Sequence, residues 1–256
     1  MSNRIAEQPF CQTRVSGSTF VNADCFDVFP FIEDKSIDSI ICDLPYGTTD
    51  CKWDSVLPLN KLWDEYKRVI KDNGVIVLFG SEPFSSYLRM SNIKEYRYDI
   101  IWDKVNIGNP LNAKKMPLKS HENISVFYSK LPTYNPQKTD LHINRTAKQY
   151  SISDNFSSGG SKVGYTSQLN GKYPKSIIKI SNQNRNNKSH PTEKPLDLME
   201  WIVKTYTNEG DMVLDNTMGS GTTILAAIKN NRIGIGIEKE KQYYDVAVRR
   251  ASEYCH

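Results

Sequence analysis

The chain has 256 residues, 38% of them hydrophobic, which is enough for one domain with a full hydrophobic core. Its 33 Lys and Arg residues exceed its 29 Asp and Glu residues, and the net charge of +4 mildly favours a polyanionic partner. No apolar run reaches the roughly 18 residues of a membrane helix and the N-terminus lacks the apolar middle of a signal peptide, so we expect a cytoplasmic protein without a membrane partner.

Apolar strands and periodic helices alternate over the first half of the chain. An almost wholly apolar run over residues 36–42 predicts a buried parallel strand that ends at Asp43. The pattern then predicts, in order, a helix over 59–71, a strand over 74–79, a helix over 83–90, and strands over 98–102 and 124–128. This alternation favours an α/β fold with a doubly wound, mostly parallel sheet, in which ligands bind at the carboxyl ends of the strands.

Residues 131–189 interrupt this pattern. Asn, Ser, Lys, Tyr and Gly dominate there, and the hydrophobic periodicity nearly disappears. A segment of this length without its own pattern is usually functional or partly disordered. Regular structure is predicted again after it, with helices over 195–206, 221–230 and 240–253 and strands over 211–215 and 232–238.

A glycine-rich turn joins the strand that ends at Asp215 to the following helix. Gly219 and Gly221 allow a tight turn and a close approach of a ligand to the backbone amides. The turn lacks a Walker lysine and the full GxGxxG spacing, which argues against phosphate transfer and ordinary dinucleotide binding. Glu238 ends the next predicted strand, where an acidic residue typically accepts hydrogen bonds from ribose hydroxyls. Together these features predict a nucleoside-cofactor pocket, whereas each alone is also typical of a plain turn or a strand-end carboxylate.

The tetrapeptide Asp43-Leu44-Pro45-Tyr46 follows the first buried strand. Methylation of an amine by a sulfonium donor needs the nitrogen lone pair directed at the methyl carbon, and acceptors that hold the amino hydrogens achieve this. The Asp43 carboxylate and a main-chain carbonyl can be these acceptors, and Pro45 stiffens the turn. Tyr46 offers a flat face to an unstacked base. The alternative for the tetrapeptide alone is a simple turn.

Three motifs occur in an order that resembles the beta class of DNA amino-methyltransferases. Along the chain they are residues 43–46, residues 190–195 with the sequence His-Pro-Thr-Glu-Lys-Pro, and residues 215–223. The resemblance covers most of the chain and implies the α/β fold of S-adenosylmethionine-dependent methyltransferases in circularly permuted form. It also implies a single methyltransferase domain over residues 1–256, with an inserted target-recognition region at 131–189.

The resemblance assigns roles to individual residues. Asp43, a carbonyl of Leu44 or Pro45, and Tyr46 would hold a flipped-out target base. For the cofactor S-adenosylmethionine, Glu238 would bind the ribose, Asp24 the adenine and Lys194 the methionine carboxylate, although a lysine at a helix start is also often merely solvated. The full predicted cofactor site comprises Asp24, Asp43, Thr192, Lys194, Asp215, Gly219, Ser220, Gly221, Thr222, Thr223 and Glu238.

The sequence departs from the family pattern in two places. Leu44 stands where Pro is commonest, but the backbone acceptor is retained. Asn216 and Thr217 replace the usual Pro-Phe pair, so we carry over no aromatic packing and leave Thr217 out of the predicted site.

His121 and Glu122 begin a later strand that can border the active site, and proton transfer by His121 is disfavoured because a lone His is more often structural.

Basic residues mixed with tyrosines and amides extend from residue 114 to residue 188. Such mixtures suit phosphate contacts and base-edge readout, and they also occur in solvated loops. The predicted DNA contacts are Lys114, Lys115, Arg145, Lys148 and Arg185. Because a base inside a duplex does not expose its amine to a pocket, we expect double-stranded DNA with the target nucleotide flipped out. The family resemblance adds a homodimer and a cognate restriction endonuclease as further partners to test.

The predicted acceptor is the N6 amine of adenine, because the tetrapeptide begins with Asp43 rather than with the Ser that is commoner for cytosine. N4-cytosine methylation uses the same cofactor and nearly the same motif, and it stays an alternative. RNA or protein-glutamine methylation fits the motif order less well. A catalytically silent DNA-binding module would bind DNA without turnover, and the intact Asp43, Tyr46 and glycine turn argue against it. The five cysteines show no zinc-like spacing, so no metal site is predicted.

Overall fold

The computed structural model describes residues 4–47, 56–106, 108, 110–139, 171–182 and 193–255. The chain divides into two compact units. Met1–Asn135 together with Ser176–His256 form the larger unit, and Pro136–Lys175 form the smaller one.

Within the described residues, nine strands form one mixed sheet. They are β1 (Cys11–Val15), β2 (Ser18–Asn22), β3 (Ile37–Cys42), β4 (Ile70–Gly80), β5 (Tyr96–Asp103), β6 (His121–Phe127), β7 (Ile177–Lys179), β8 (Met212–Asp215) and β9 (Ile233–Glu238). The strands lie in the order β1-β2-β9-β8-β3-β4-β6-β5-β7. Parallel pairing joins β2, β9, β8, β3 and β4 in succession and β5 with β7, whereas β6 is antiparallel to both neighbours and β1 to β2. The sheet is therefore mostly parallel, as the sequence predicts.

Helices cover both faces of this sheet. They are α1 (Cys25–Val28), α2 (Leu59–Val69), α3 (Phe84–Ser91), α4 (Leu196–Tyr206), α5 (Thr222–Lys229) and α6 (Lys241–Cys255). Successive side chains of β3 point to opposite faces, so Ile40 packs in the core that contains Trp63 of α2, while Ile41 packs in the core that contains Ile202 of α4. This two-sided burial explains why the apolar residues Ile40, Ile41 and Cys42 follow one another in the strand, and it confirms the doubly wound arrangement.

Three local predictions differ from the structure. The helix predicted over 59–71 ends at Val69, because Ile70 already pairs with Ile37 as the start of β4. The hairpin of β1 and β2 was not predicted, since the half-exposed sequence of β1 carries no strong apolar pattern. Inside the segment that lacks periodicity, β7 forms a short strand because its backbone extends the sheet beside β5.

The smaller unit has its own local contacts. In its described part, Thr139 and Lys172 form an antiparallel bridge with backbone hydrogen bonds of 3.0 and 2.8 Å. The Lys138 ammonium lies 4.6 Å from the centre of the Tyr173 ring. A basic side chain and an exposed tyrosine are therefore neighbours in this unit. As for membrane spans, each helix of the described residues is too short or too polar to cross a bilayer.

Candidate active site

Most of the predicted catalytic and cofactor-binding residues lie where the central strands of the sheet end. Asp43 directly follows β3, Asp215 ends β8 and Glu238 ends β9, and these strands run in the same direction. The antiparallel strand β6 begins at this same edge, because its Asn123 pairs with Gly80 at the end of β4. Glu122 is thereby brought to the edge from a strand that runs the opposite way.

Asp43 and Tyr46 form the centre of the first half of the edge. The Tyr46 hydroxyl donates a hydrogen bond of 2.5 Å to Oδ1 of Asp43. The Tyr46 ring stacks on Phe84 of α3, with ring centres 5.1 Å apart and an interplanar angle of 28°. Leu44 is buried, which anchors the tetrapeptide in the core, and Asp43 keeps 26% of its side chain exposed. The tetrapeptide thus presents its carboxylate and its aromatic ring on a rigid support.

Lys194 bridges two carboxylates at this place. Its ammonium group donates to Oδ2 of Asp43 and lies 3.2 Å from Oε2 of Glu122. Oε1 of Glu122 accepts from Lys104, which follows β5. We call Asp43, Lys194, Glu122 and Lys104 the four-charge cluster. Its members come from four separate parts of the chain, and its formal charges cancel.

The charges of this cluster depend on one another. Burial raises the pKa of Asp43, the neighbouring Lys194 lowers it, and the negative charge of Glu122 raises it further. Burial also opposes ionisation of Glu122, but Lys194 and Lys104 overcome it and lower the pKa of Glu122 to about 2. The pKa of Lys194 is raised, because Asp43 and Glu122 outweigh the effect of burial. Lys194 is consequently a buried ammonium with two counterions rather than a solvated helix-start lysine.

The glycine-rich turn forms the second half of the edge. Asp215 is 2% exposed, and its Oδ1 accepts a hydrogen bond of 3.2 Å from the amide of Thr217. Burial raises the pKa of Asp215 to about 7, although hydrogen bonds from Thr223 and Thr217 favour its ionised form. Gly219 and Gly221 have φ values of +52° and +75°, which glycine adopts without strain. Gly221 is the N-cap of α5, so the backbone turns sharply into the positive end of that helix.

Glu238 and Asp24 lie beside this turn. Oε2 of Glu238 accepts a hydrogen bond of 2.9 Å from the Gly219 amide, and Oε1 accepts one of 2.8 Å from the Glu240 amide. Burial raises the pKa of Glu238 above its ordinary value. Asp24 caps α1 through a hydrogen bond of 3.0 Å from the Phe26 amide, and Lys239 lies 3.3 Å from its other oxygen. The backbone of β2 and β9 holds these two carboxylates near each other, since Asn22 pairs with Glu238.

Arg250 of α6 was missed by the sequence reasoning. Its guanidinium donates to the carbonyl of Ser220 at 2.7 Å, to the Ser220 hydroxyl at 2.9 Å and to the Thr222 hydroxyl at 3.1 Å. It also forms an ion pair of 2.8 Å with Glu193. Arg250 therefore ties the glycine-rich turn to the start of the segment that carries Lys194. A lone Arg in a charged C-terminal helix gives no sequence signal for such a role.

The residues that replace the family's Pro-Phe pair connect the two halves of the edge. Asn216 is buried, and its Oδ1 accepts from the Tyr66 hydroxyl at 2.5 Å and from the Cys42 thiol at 3.0 Å. The Thr217 hydroxyl donates to the backbone carbonyl of Asp43 at 3.2 Å. Thr217, which the sequence reasoning left out, thus contacts the tetrapeptide directly.

Several predicted positions lie elsewhere. Lys114 and Lys115 are exposed and follow a short 3-10 helix, Pro110–Asn112, between β5 and β6. Four predicted site residues lie outside the described residues, namely Thr192, Arg145, Lys148 and Arg185. His121 is exposed at the start of β6, while its neighbour Glu122 is in the four-charge cluster.

The chemistry of the second half of the edge fits a nucleoside cofactor. The left-handed glycine turn lies beside the buried carboxylate of Asp215 and the half-buried carboxylate of Glu238, and such carboxylates favour hydroxyl or cationic partners. The fold has counterparts among known structures. The crystal structure of the M1.HpyAVI–SAM complex matches 90% of this chain and 97% of its own, with a TM-score of 0.64 and 27% identity. The PvuII DNA methyltransferase, cytosine-N4-specific, has the same fold at a TM-score of 0.65 and 16% identity. Fold and site together define a methyltransferase that uses S-adenosyl-L-methionine.

The family follows from the sequence match. The model of the N6/N4 DNA methylase family matches residues 37–249, so this chain belongs to that family of DNA methyltransferases. The type II methyltransferase M.HpaI of Haemophilus parainfluenzae is 30% identical over 86% of this chain and 69% of its own length. The type II methyltransferase M1.MboII of Moraxella bovis is 27% identical over 88% and 92%.

Proposed function

We propose that this chain is a type II, site-specific DNA methyltransferase that methylates the N6 amine of adenine. The single observation that carries the proposal is the Asp43 carboxylate, which lies beside the stacked Tyr46 ring and across the edge from the glycine-rich turn. The relatives M.HpaI and M1.MboII are named type II methyltransferases, which supports the type. Asp43, where a Ser is commoner for cytosine, supports adenine.

In this proposal the tetrapeptide binds the flipped-out base. Asp43 and the carbonyl of Leu44 or Pro45 accept the amino hydrogens. The nitrogen lone pair then leaves its conjugation with the ring and points at the methyl carbon of the donor. The Tyr46 ring stacks on the base, which contributes about 1 to 3 kcal/mol. Its own packing against Phe84 fixes the plane of that stack. The methylated nitrogen then loses a proton to a nearby acceptor or to water, so a strong general base is not needed.

Most of the proposed cofactor contacts come from the second half of the edge, and Asp43 and Lys194 add contacts from the first half. S-adenosyl-L-methionine supplies an electrophilic methyl group on a sulfonium sulfur. Glu238 accepts ribose hydroxyls, Asp24 contacts the adenine, and Lys194 pairs with the methionine carboxylate. The remaining proposed contacts are Asp43, Thr192, Asp215, Gly219, Ser220, Gly221, Thr222 and Thr223. Arg250 holds Ser220 and Thr222 in place for this purpose.

The wider organisation belongs to the same proposal. We propose one methyltransferase domain over residues 1–256 in circularly permuted order, with the target-recognition region at 131–189. The compact unit Pro136–Lys175, with its paired Lys138 and Tyr173, supports a recognition role for that segment. Lys114, Lys115, Arg145, Lys148 and Arg185 would contact double-stranded DNA, and a homodimer and a cognate restriction endonuclease are its proposed partners.

Transfer of labelled methyl from S-adenosyl-L-methionine to unmethylated genomic DNA, followed by nucleoside analysis, tests the function. We expect N6-methyladenine with the wild type and none with Asp43→Ala. N4-methylcytosine would overturn the base assignment and keep the class of reaction. DNA binding without incorporation would support the catalytically silent module instead.

A further inference from the structure

Asp43 carries two hydrogen bonds that compete with its proposed task. Oδ1 accepts from the Tyr46 hydroxyl, and Oδ2 accepts from the Lys194 ammonium. To hold the amino hydrogens of a target base, the carboxylate must weaken at least one of these contacts. The contact with Lys194 is the harder one to lose, because an unpaired charge in a buried place is strongly unfavourable.

Glu122 is placed to relieve this competition. Its Oε2 lies 3.2 Å from the ammonium of Lys194, yet within the described residues this buried oxygen accepts no hydrogen bond. Oε1 is already held by Lys104, which fixes the direction of the carboxylate. The centres of the Phe79 and Tyr46 rings lie 5.1 and 5.9 Å from the same ammonium. A small movement of Lys194 would therefore complete a hydrogen bond to Glu122.

We infer that Glu122 is a positioning residue, which takes over Lys194 when Asp43 turns to the target base. The inference rests on the proposed function, because it presumes that Asp43 holds an amino group. Glu122 does not touch the base; it acts by holding Lys194 in place throughout turnover, where its ammonium can also face the methionine carboxylate of the cofactor. Lys194 and Lys104 lower the pKa of Glu122 to about 2, so Glu122 is ionised at neutral pH.

The first experiment measures thermal unfolding and needs no turnover. Asp43→Asn and Glu122→Gln should each lower Tm by only a few degrees, because one carboxylate still pairs with Lys194. The double variant should lose about 10 °C more than the sum, since removing the last partner of a buried charge is costly. Adding Lys194→Met to the double variant should recover most of that loss, which also shows that a poorly folded double variant fails for this reason. Additive losses, or no recovery, would contradict the inference.

Glu200 provides a matched control for the same cycle. It also lies between two lysines, 2.7 Å from Lys229 and 3.4 Å from Lys204, with 18% of its side chain exposed against 13% for Glu122. Glu200→Gln combined with Asp43→Asn should give additive changes in Tm. A coupling as large as that of Glu122 would mean that the effect is not specific to Lys194.

The second experiment measures methyl transfer as a function of pH. Glu122→Gln should lower kcat about tenfold or more, because Lys194 then stays on Asp43, while KM for DNA stays nearly unchanged. The groups that face Asp43 are Tyr46, Lys194, Glu122 and Asp215, and loss of the negative charge of Glu122 lowers the pKa of Asp43. The acidic limb of the rate profile should therefore move to lower pH. A lower rate with an unmoved acidic limb would indicate a merely structural role and overturn the inference.

The two experiments separate this inference from the proposed function. If the wild type transfers no methyl group to DNA, the proposed function fails. An additive unfolding cycle would then still contradict the inference, because it would show that Asp43 and Glu122 do not share Lys194.

Discussion

The two halves of the sheet edge place buried carboxylates in opposite surroundings. At the end of β3, Asp43 shares Lys194 with Glu122, so its charge is balanced by a lysine. At the ends of β8 and β9, Asp215 and Glu238 accept hydrogen bonds from backbone amides, which are weaker partners than a full charge. Burial raises the pKa of Asp215 to about 7 there.

This difference separates two tasks. The neighbouring lysine favours the ionised form of Asp43, which can accept amino hydrogens, although burial still leaves the pKa of Asp43 raised. Carboxylates that accept hydrogen bonds from amides and hydroxyls rather than from a lysine gain most from a cationic or hydroxyl-bearing ligand, which is what S-adenosyl-L-methionine provides. The comparison predicts that changes at the β3 end act on the rate of transfer, whereas changes at the β8–β9 end act on cofactor binding and stability.

The largest effect is expected for Asp43→Asn. It keeps the shape of the side chain but removes the charged acceptor of the amino group, so kcat should fall about 1,000-fold. The dissociation constant of S-adenosyl-L-methionine, measured by calorimetry, should change only a few-fold. Equal losses in cofactor binding and in kcat would show that the β3 end of the sheet edge does not act mainly on the rate of transfer.

Asp215 should make stability depend on pH. Its folded pKa of about 7 lies above its unfolded value, so its contribution is fully present below about pH 4 and is lost as pH rises through 7. The loss amounts to about 4 kcal/mol at most, because one pKa unit is about 1.4 kcal/mol. The Tm of the wild type should therefore fall more steeply between pH 5 and 8 than the Tm of Asp215→Asn. Parallel curves would show that Asp215 keeps an ordinary pKa in the folded state.

Gly221→Ala tests how closely the glycine-rich turn is packed. A Cβ at this position would lie 2.7 Å from Cβ of Ala247, and φ is +75°. Strain and overpacking together should cost about 3 kcal/mol of unfolding free energy. Gly210→Ala is the matched control, since φ is +84° there but nothing lies within 4 Å, and it should cost only about 1 kcal/mol. Equal losses of unfolding free energy for the two variants, measured by urea unfolding, would show that the whole effect comes from backbone strain and none from the contact with Ala247.

Glu238→Gln should weaken cofactor binding without much change in the rate at saturation. The charged acceptor of the ribose hydroxyls is lost while the side chain keeps its size, which corresponds to about 2 kcal/mol, or about a 30-fold higher dissociation constant. Binding of S-adenosyl-L-methionine by calorimetry and kcat at saturating cofactor measure the two quantities. A selective loss of kcat would place Glu238 in the wrong half of the site.

Tyr46→Phe should have the smallest effect. It removes the hydroxyl that donates to Asp43 and keeps the ring that stacks on Phe84. Because one acceptor site on Asp43 becomes available while one oriented hydrogen bond is lost, kcat should fall by only about fivefold. Tyr46→Ala is the comparison that also removes the stacking surface, and it should reduce the rate by a further tenfold or more. Equal rates for the two variants would show that the hydroxyl, not the ring, matters.

Local pattern predicted most of the elements near the sheet edge. The sequence predicted the apolar run of β3, the glycine turn before α5 and the acidic end of β9. Burial on both faces of a strand and a left-handed turn each restrict which residues can occur at these places. The sequence did not predict the hairpin of β1 and β2 or the short β7. Edge strands with exposed faces form because a neighbouring strand pairs with them, and their composition gives little sign of this.

The sequence by itself determined the class of fold, the cofactor and the two motifs that face each other across the edge. Only the tertiary structure decided which side chains share their charges. Lys194 lies 151 positions from Asp43 along the chain, and Glu122 comes from an antiparallel strand. Arg250 joins the glycine-rich turn to Glu193 in the same way. The physical reason is that an ion pair depends on the distance between its charges in space and on their burial. Both are set by the packing of the strands and helices, and no local spacing of residues encodes them.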